Sequence, residues 1–223
     1  MMTTNQEFKN AALSALRGNW AKAVLATLIY AAVICLISGA TSLYSLFADP
    51  VDVIAAIYSP AYWGTSGTSF LLLILVGLPL SVGFIYSFCA LYVYSDSRLV
   101  SNSWGYGFKV YWRAIGGTIL MQIFVFLWSL LFVIPGIVKA YSYALTPYII
   151  VDDPQISVRE AIRKSQKLMS GQKFNLFYLQ LSFIGWFLLS CITGGIGFLW
   201  FIPYYYTSQA VFYRNLRDNC VIA

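Results

Sequence analysis

The sequence contains no histidine and few charged residues, and each of these absences excludes common classes of protein. Without histidine there is no imidazole for acid–base catalysis, for a Ser-His or Cys-His nucleophile pair, or for most zinc and haem sites. Charged residues make up 10% of the 223 residues, against about 25% in a typical soluble domain. This composition excludes a disordered chain and a solvated nucleic-acid-binding surface, and it argues against an ordinary soluble enzyme.

The apolar residues that dominate the chain lie in long stretches without charge. They make up 60% of the sequence, and the uncharged stretches extend over residues 23–48, 53–95, 114–138, 140–151 and 174–213. A helix of about 20 apolar residues crosses the hydrocarbon core of a bilayer, which is roughly 30 Å thick. The stretches therefore predict an all-α polytopic membrane protein with a single domain over residues 1–223. Its six predicted transmembrane helices lie at about 21–47, 70–94, 114–134, 137–151, 174–193 and 196–213.

The distribution of basic residues predicts how these six helices are oriented. Lysine and arginine collect on the cytoplasmic side of membrane proteins. With six crossings and a cytoplasmic amino terminus, 13 of the 14 basic residues lie in the cytoplasm, and Lys139 is the exception. Without the short fourth helix, the basic residues between 159 and 173 would lie on the opposite side. We therefore expect three transmembrane hairpins in the plasma membrane, with both termini cytoplasmic.

Two of the predicted cytoplasmic segments share a sequence pattern that starts and ends a helix. The pattern is Ser/Thr-x-x-Glu followed eleven residues later by glycine, and it occurs as Thr4, Glu7 and Gly18 and again as Ser157, Glu160 and Gly171. The first part is a capping box, and the glycine suits a helix end that needs a positive φ. A third copy around residues 108–113 lacks the capping box. The pattern predicts a unit of one interfacial amphipathic helix and one transmembrane hairpin, used two or three times.

The second of these segments carries four basic residues on one predicted helix face. They are Arg159, Arg163, Lys164 and Lys167, and apolar residues occupy the opposite face. A short helix with one apolar and one basic face next to a membrane span is typical of an interfacial helix. Two interpretations remain open: the helix caps the ends of the spans, or its basic face contacts anionic lipid head groups or a membrane partner.

Lys139 is a charged residue that lies inside one of the six predicted spans. A lysine near the end of a span can extend its ammonium group to the interface at little cost. Alternatively, it faces a polar pocket, and the candidate pocket residues are Lys139, Tyr141, Ser142, Gln122, Gln180 and Gln209. Ser142 lies three residues after Lys139 on the same helical face, and this spacing also allows a Ser-Lys pair.

No predicted span contains an aspartate or a glutamate, which removes the intramembrane carboxylates common in proton-coupled transporters. The sequence also lacks a P-loop, a nucleotide-binding glycine motif and a nucleophile elbow. We therefore expect no catalytic residues, no metal site and no cofactor, and an enzyme is the least expected class.

Several stretches in the second half of the chain resemble a known family. They are 128–143 (WSLLFVIPGIVKAYSY), 146–148 (TPY), 160–162 (EAI), 169–173 (MSGQK), 181–186 (LSFIGW) and 195–200 (GIGFLW). Together they resemble the integral-membrane family known as domain of unknown function 975. The resemblance implies a bacterial multi-span membrane protein, distantly similar to the membrane part of some glycerophosphodiester phosphodiesterases. Because catalysis in those enzymes belongs to a separate soluble domain, the resemblance transfers no catalytic residue.

These observations favour a non-catalytic integral membrane protein that organises lipid or a membrane partner through a basic cytoplasmic surface. The expected partners are anionic lipid head groups, with a second copy of the chain or another membrane protein as further possibilities and no nucleic acid. The alternative is a small transporter or channel with a polar site near Lys139.

Overall fold

The computed structural model describes residues 4–47 and 60–222, and within these ranges the chain forms twelve α-helices and no strand. The all-α prediction is therefore confirmed for the described part of the chain. A π-helical turn at Leu73–Gly77 connects the helix Pro60–Leu72 to the helix Leu78–Tyr94. The helices are α1 (Asn5–Leu16), α2 (Trp20–Phe47), α3 (Pro60–Leu72), α4 (Leu78–Tyr94), α5 (Leu99–Lys109), α6 (Tyr111–Leu131), α7 (Val133–Tyr143), α8 (Thr146–Asp152), α9 (Val158–Leu168), α10 (Lys173–Leu181), α11 (Ile184–Ile192) and α12 (Phe198–Ile222).

Four helical segments in the described residues are long and apolar enough to cross a membrane. They are Trp20–Gly39, Ser66–Tyr94, Tyr111–Leu130 and Lys173–Ile192. Each coincides with one of the six predicted spans, and their number is consistent with a multi-pass membrane protein. The remaining two predicted spans, 137–151 and 196–213, are not among these segments, so the number six stays a prediction.

The predicted span at 137–151 is divided between two short helices. α7 ends at Tyr143, and α8 begins at Thr146 after a turn at Ala144 and Leu145. Pro147 lies in the first turn of α8, where its missing N–H has no intrahelical partner to lose. The predicted span at 196–213 lies inside α12, which continues without a break into the charged residues up to 222.

The predicted starts and ends of the two patterned helices are confirmed. The Thr4 hydroxyl accepts a hydrogen bond from the Glu7 amide at 3.3 Å, and the Glu7 carboxylate accepts one from the Thr4 amide at 3.2 Å. Ser157 and Glu160 form the same reciprocal pair at the start of α9. The two glycines that follow, Gly18 and Gly171, have φ values of +81° and +75°, a conformation that glycine adopts without a Cβ clash.

Helices α4, α8 and α12 meet at the centre of the molecule, and we call them the central helices. The rings of Phe84 on α4 and Tyr206 on α12 make an edge contact at 5.4 Å between centroids. Tyr148 on α8 and Tyr213 on α12 are 5.8 Å apart. All four side chains are largely buried, so aromatic packing supplies much of the contact between these helices.

Each central helix also contacts one of three short helices, α1, α5 and α9. α1 packs against α12, with the Phe8 and Phe212 rings 5.4 Å apart. α5 lies against α4, and α9 lies against α8. The predicted third copy of the repeated unit, at residues 108–113, is divided between the end of α5 and the start of α6, so the three-copy repeat stays a prediction.

The contact between α4 and α5 depends on glycine. A Cβ atom on Gly83 would overlap the carbonyl oxygen of Ser103, and a Cβ atom on Gly107 would overlap that of Pro79. Small residues at such positions allow two helix backbones to approach closely in membrane proteins. Ser87 completes the contact, since its hydroxyl lies 2.8 Å from that of Ser103.

Candidate functional site

Lys139 on α7 contacts the aromatic ring of Trp128 on α6. Its Nζ atom lies 4.6 Å from the centroid of the Trp128 ring. An ammonium group over the face of a tryptophan is attracted by the negative potential of the ring. Ser142, one turn along α7, donates its hydroxyl to the Val138 carbonyl oxygen at 2.8 Å. The described contacts therefore provide no hydrogen bond that would make Ser142 and Lys139 a nucleophile pair.

The other residues of the predicted polar pocket are brought together only in part. Tyr141 donates its hydroxyl to Gln180 Oε1 at 2.9 Å, which joins α7 to α10. Gln209 instead accepts a hydrogen bond from Tyr148 at 3.0 Å, between α12 and α8. Gln122 is exposed on α6. The six predicted residues thus lie in separate contacts, and the Tyr141–Gln180 pair is the part of the prediction that the packing brings together.

The Tyr141–Gln180 pair lies beside an open apolar groove between α7 and α10, which we call the lateral groove. One part has a volume of about 510 Å³ and is lined by Ile137, Val138, Tyr141, Gly171, Lys173, Phe174 and Phe177. A second part of about 390 Å³ shares Tyr141 and Phe177 and continues past Gln180 towards α11 and α12. Lys173 is the charged residue in this lining, at the first residue of α10. The walls are otherwise almost entirely apolar, which suits an alkyl chain better than a solvated solute.

The basic face of α9 precedes this groove in the chain. Its four basic side chains are exposed, whereas Ala161, Ile162 and Leu168 on the opposite face are buried. None of the four forms an ion pair within 4 Å in the described part of the chain. Glu160 is occupied by the capping box, and its hydrogen bonds with Ser157 hold the pKa of the carboxyl below its usual value. The four positive charges are therefore available to an external anion.

A second cavity, which sequence reasoning missed, lies where the central helices meet. It has a volume of about 230 Å³, and residues of α4, α5, α8 and α12 line it. We call it the central cavity. Asp152, at the end of α8, contributes to its wall and accepts hydrogen bonds from Tyr213 at 3.0 Å and from Arg217. Arg214 lies farther from Asp152, with 3.5 Å between Nη1 and Oδ1.

Asp152 directly follows the predicted span at 137–151, and local sequence gives no sign of its partners. Its partners lie 61 to 65 residues away on α12, so no local pattern identifies them. The one available signal was the spacing of Tyr213, Arg214 and Arg217, which places all three within one turn of a helix. α5 closes another side of the cavity, because Tyr106 donates its hydroxyl to the Val151 carbonyl oxygen at 2.7 Å. Burial raises the pKa of Tyr106 to about 12, so this hydroxyl remains protonated at neutral pH.

The described residues form an all-helical fold, and its four apolar segments of membrane-spanning length are consistent with the class of multi-pass membrane proteins. The family model described as "Protein of unknown function (DUF975)" matches residues 1–143 and again residues 64–220, so the chain belongs to this family. This confirms the family resemblance noted from the sequence. Neither the curated proteins nor the solved structures include a significant match to the chain. The distant similarity to phosphodiesterase membrane domains stays a prediction.

Proposed function

We propose that this protein is a non-catalytic membrane protein that binds anionic phospholipid through the basic face of α9 and the lateral groove. The observation that carries the proposal is the set of four exposed basic side chains that form no ion pair among the described residues, a few residues before a groove with apolar walls. A phospholipid combines an anionic head group with alkyl chains, so it matches both surfaces at once. Lys173, in the groove lining, would contact the same head group.

The electrostatic part of this proposal has a definite magnitude. Each lysine or arginine near an anionic membrane surface contributes about 1 kcal/mol of attraction. Four such residues on one short helix would therefore bind the head-group region strongly at low salt and less strongly at high salt. The apolar walls of the lateral groove would add a contribution that does not depend on salt.

The proposal includes a membrane topology. The protein lies in the plasma membrane with six spans arranged as three hairpins, and both termini are cytoplasmic. This topology places α1, α5 and α9 on the cytoplasmic side, together with 13 of the 14 basic residues. Its support is the positive-inside distribution and the four apolar segments of membrane length. Labelling of single cysteines introduced at Lys109 and Lys164 in intact cells tests it, because both should be protected from an impermeant reagent.

Lipid binding is tested with the full-length protein in detergent and native mass spectrometry, with phosphatidylglycerol and phosphatidylcholine as probes. The variant Arg163→Gln/Lys164→Gln should lose retained phosphatidylglycerol by about tenfold or more, since two contributions of about 1 kcal/mol are removed. The matched control Arg17→Gln/Lys109→Gln also removes two exposed charges, but away from α9. Equal retention of the two lipids, or equal losses in both variants, would overturn the proposal.

The transporter alternative has less support. It requires a polar, water-accessible site near Lys139, whereas Lys139 contacts Trp128 and the nearby lateral groove has apolar walls. A solute-flux screen in liposomes that compares Lys139→Met with the parent protein tests it. Flux that depends on Lys139 would reverse the order of the two functions.

A further inference from the structure

The central cavity contains hydrogen-bond donors that the protein itself leaves unused. The Arg214 side chain is 19% exposed, and its one hydrogen bond among the described residues is the 3.5 Å contact with Asp152. A guanidinium group has five N–H donors, so at least four of them have no partner in the described chain. Tyr86 and Tyr94 also line the cavity, Tyr94 with 71% of the residue exposed, and their hydroxyl groups likewise make no hydrogen bond within the described residues.

The charge of Asp152 is already compensated without Arg214. Its carboxylate accepts hydrogen bonds from Arg217 and from the Tyr213 hydroxyl. Arg217 also lies 3.4 Å from Asp218, but the Asp218 side chain is 56% exposed and its charge is therefore largely screened by solvent. Arg214 therefore contributes a positive charge to the cavity, and its acidic partner, Asp152, is mainly bound by Arg217 and Tyr213. A mostly buried cation in that position favours a bound anion.

The volume of the cavity limits what that anion can be. At about 30 Å³ for each water molecule, 230 Å³ corresponds to roughly eight waters. Pockets for drug-sized ligands are larger, at about 300–1,000 Å³. The central cavity therefore accommodates a small anion or a single head group, but not a complete phospholipid.

We propose that the central cavity binds a phosphate-class oxyanion, with the Arg214 guanidinium as its main ligand and the Tyr86 and Tyr94 hydroxyls as further donors. Arginine presents two parallel N–H groups that match two oxygens of a phosphate. The tyrosines belong to α4, whereas Arg214 belongs to α12, so the donors come from two walls of the cavity. A tetrahedral oxyanion has oxygens outside one plane and can use both walls, which a planar carboxylate does less well. The phosphate is either free in solution or part of a lipid head group.

Isothermal titration of the full-length protein in detergent tests the site, with inorganic phosphate as the probe and acetate as the comparison. Phosphate should bind with a dissociation constant at least tenfold higher in Arg214→Gln than in the parent protein. Tyr86→Phe/Tyr94→Phe keeps both rings and should weaken binding several-fold, so it remains informative if Arg214→Gln fails to fold. The matched control is Arg17→Gln, at an exposed arginine directly after α1 and outside the cavity, and it should leave binding unchanged.

A second titration distinguishes the two sources of phosphate. The protein is placed in phosphatidylcholine nanodiscs with or without phosphatidic acid. Binding of inorganic phosphate in detergent supports a soluble ligand. If instead only phosphatidic acid binds, and its binding depends on Arg214, the ligand is a lipid head group. The site is overturned if neither probe binds, if acetate binds as tightly as phosphate, or if the cavity variants bind like the parent. The α9 variants used for the lipid proposal should leave this binding intact, so the two proposals fail independently.

Discussion

The ammonium group of Lys9 donates a hydrogen bond to the carbonyl oxygen of Ser182 at 2.8 Å, across 173 residues of chain. Ser182 lies at the break between α10 and α11, and the Lys9 Nζ atom also lies 4.5 Å from the centroid of the Phe183 ring. Helix ends leave carbonyl groups without an intrahelical partner, so a break inside an apolar segment needs donors from elsewhere. Lys9 supplies one, and this contact fastens α1 to the break between α10 and α11.

Replacement of Lys9 by methionine should therefore destabilise the protein. A hydrogen bond that involves a charged group contributes about 1.5–3 kcal/mol, and partial exposure of Lys9 places the expected loss near the lower value. The measurement is the thermal unfolding midpoint in detergent. Lys109→Met is the matched control, because Lys109 is exposed and makes no described hydrogen bond. Equal midpoints for the two variants would show that the Lys9 contact contributes nothing.

Two glycines in α5 should respond in opposite ways to the same substitution. A Cβ on Gly107 would overlap the Pro79 carbonyl oxygen, so Gly107→Ala must push α5 away from α4 and should cost about 1–3 kcal/mol. Gly105, two residues earlier, has no atom near its Cβ position. Gly105→Ala should therefore be neutral or stabilising by up to about 1 kcal/mol through helix propensity. The measurement is the free energy of unfolding of both variants in denaturant. A similar loss of stability at both positions would contradict the close contact between α4 and α5.

Asp96 should make the stability of the α4–α5 connection depend on pH. Its carboxylate accepts hydrogen bonds from the Arg98 side chain and amide and from Asn102, and these hold its pKa well below the usual value. A carboxyl with a lowered pKa in the folded state stabilises that state above its unfolded pKa of about 3.9. This contribution is lost as the pH falls through the folded pKa.

The comparison of Asp96→Asn with the parent protein checks this dependence. At pH 7 the variant should unfold at a lower temperature, and the difference should shrink as the pH falls below about 4. Asp218→Asn, at an exposed carboxylate, serves as the control for a simple change in net charge. A difference that is independent of pH would contradict the role of the Asp96 charge.

The capping box of α9 should control how often the helix opens at its start. Ser157→Ala removes the hydroxyl that accepts from the Glu160 amide, at a cost of about 1 kcal/mol. Hydrogen exchange of the first-turn amides of α9 should then accelerate by roughly fivefold, since 1.4 kcal/mol corresponds to tenfold. Ser170→Ala, at an exposed serine after the helix, should leave these rates unchanged. Unchanged exchange in Ser157→Ala would show that the cap is not needed.

Local signals made the ends of the short helices predictable. A capping box and a following glycine act within one helix, so Thr4, Ser157, Gly18 and Gly171 could be assigned without knowledge of their neighbours. The all-α class and the four membrane-length segments follow from composition and run length, which are also local properties. The family resemblance rests on short motifs of the same kind, and the family match confirms it.

Tertiary packing decided the contacts of the polar side chains. Lys139 and Trp128 meet because α6 and α7 pack together, and Tyr141 meets Gln180 because α7 lies against α10. Asp152 contacts partners that are more than 60 residues away in the sequence, and it lies in the wall of the central cavity. The sequence by itself determined the helical membrane class and the boundaries of α1 and α9. Only the packed structure decided which polar groups meet, because that depends on how helices distant in sequence place their faces together.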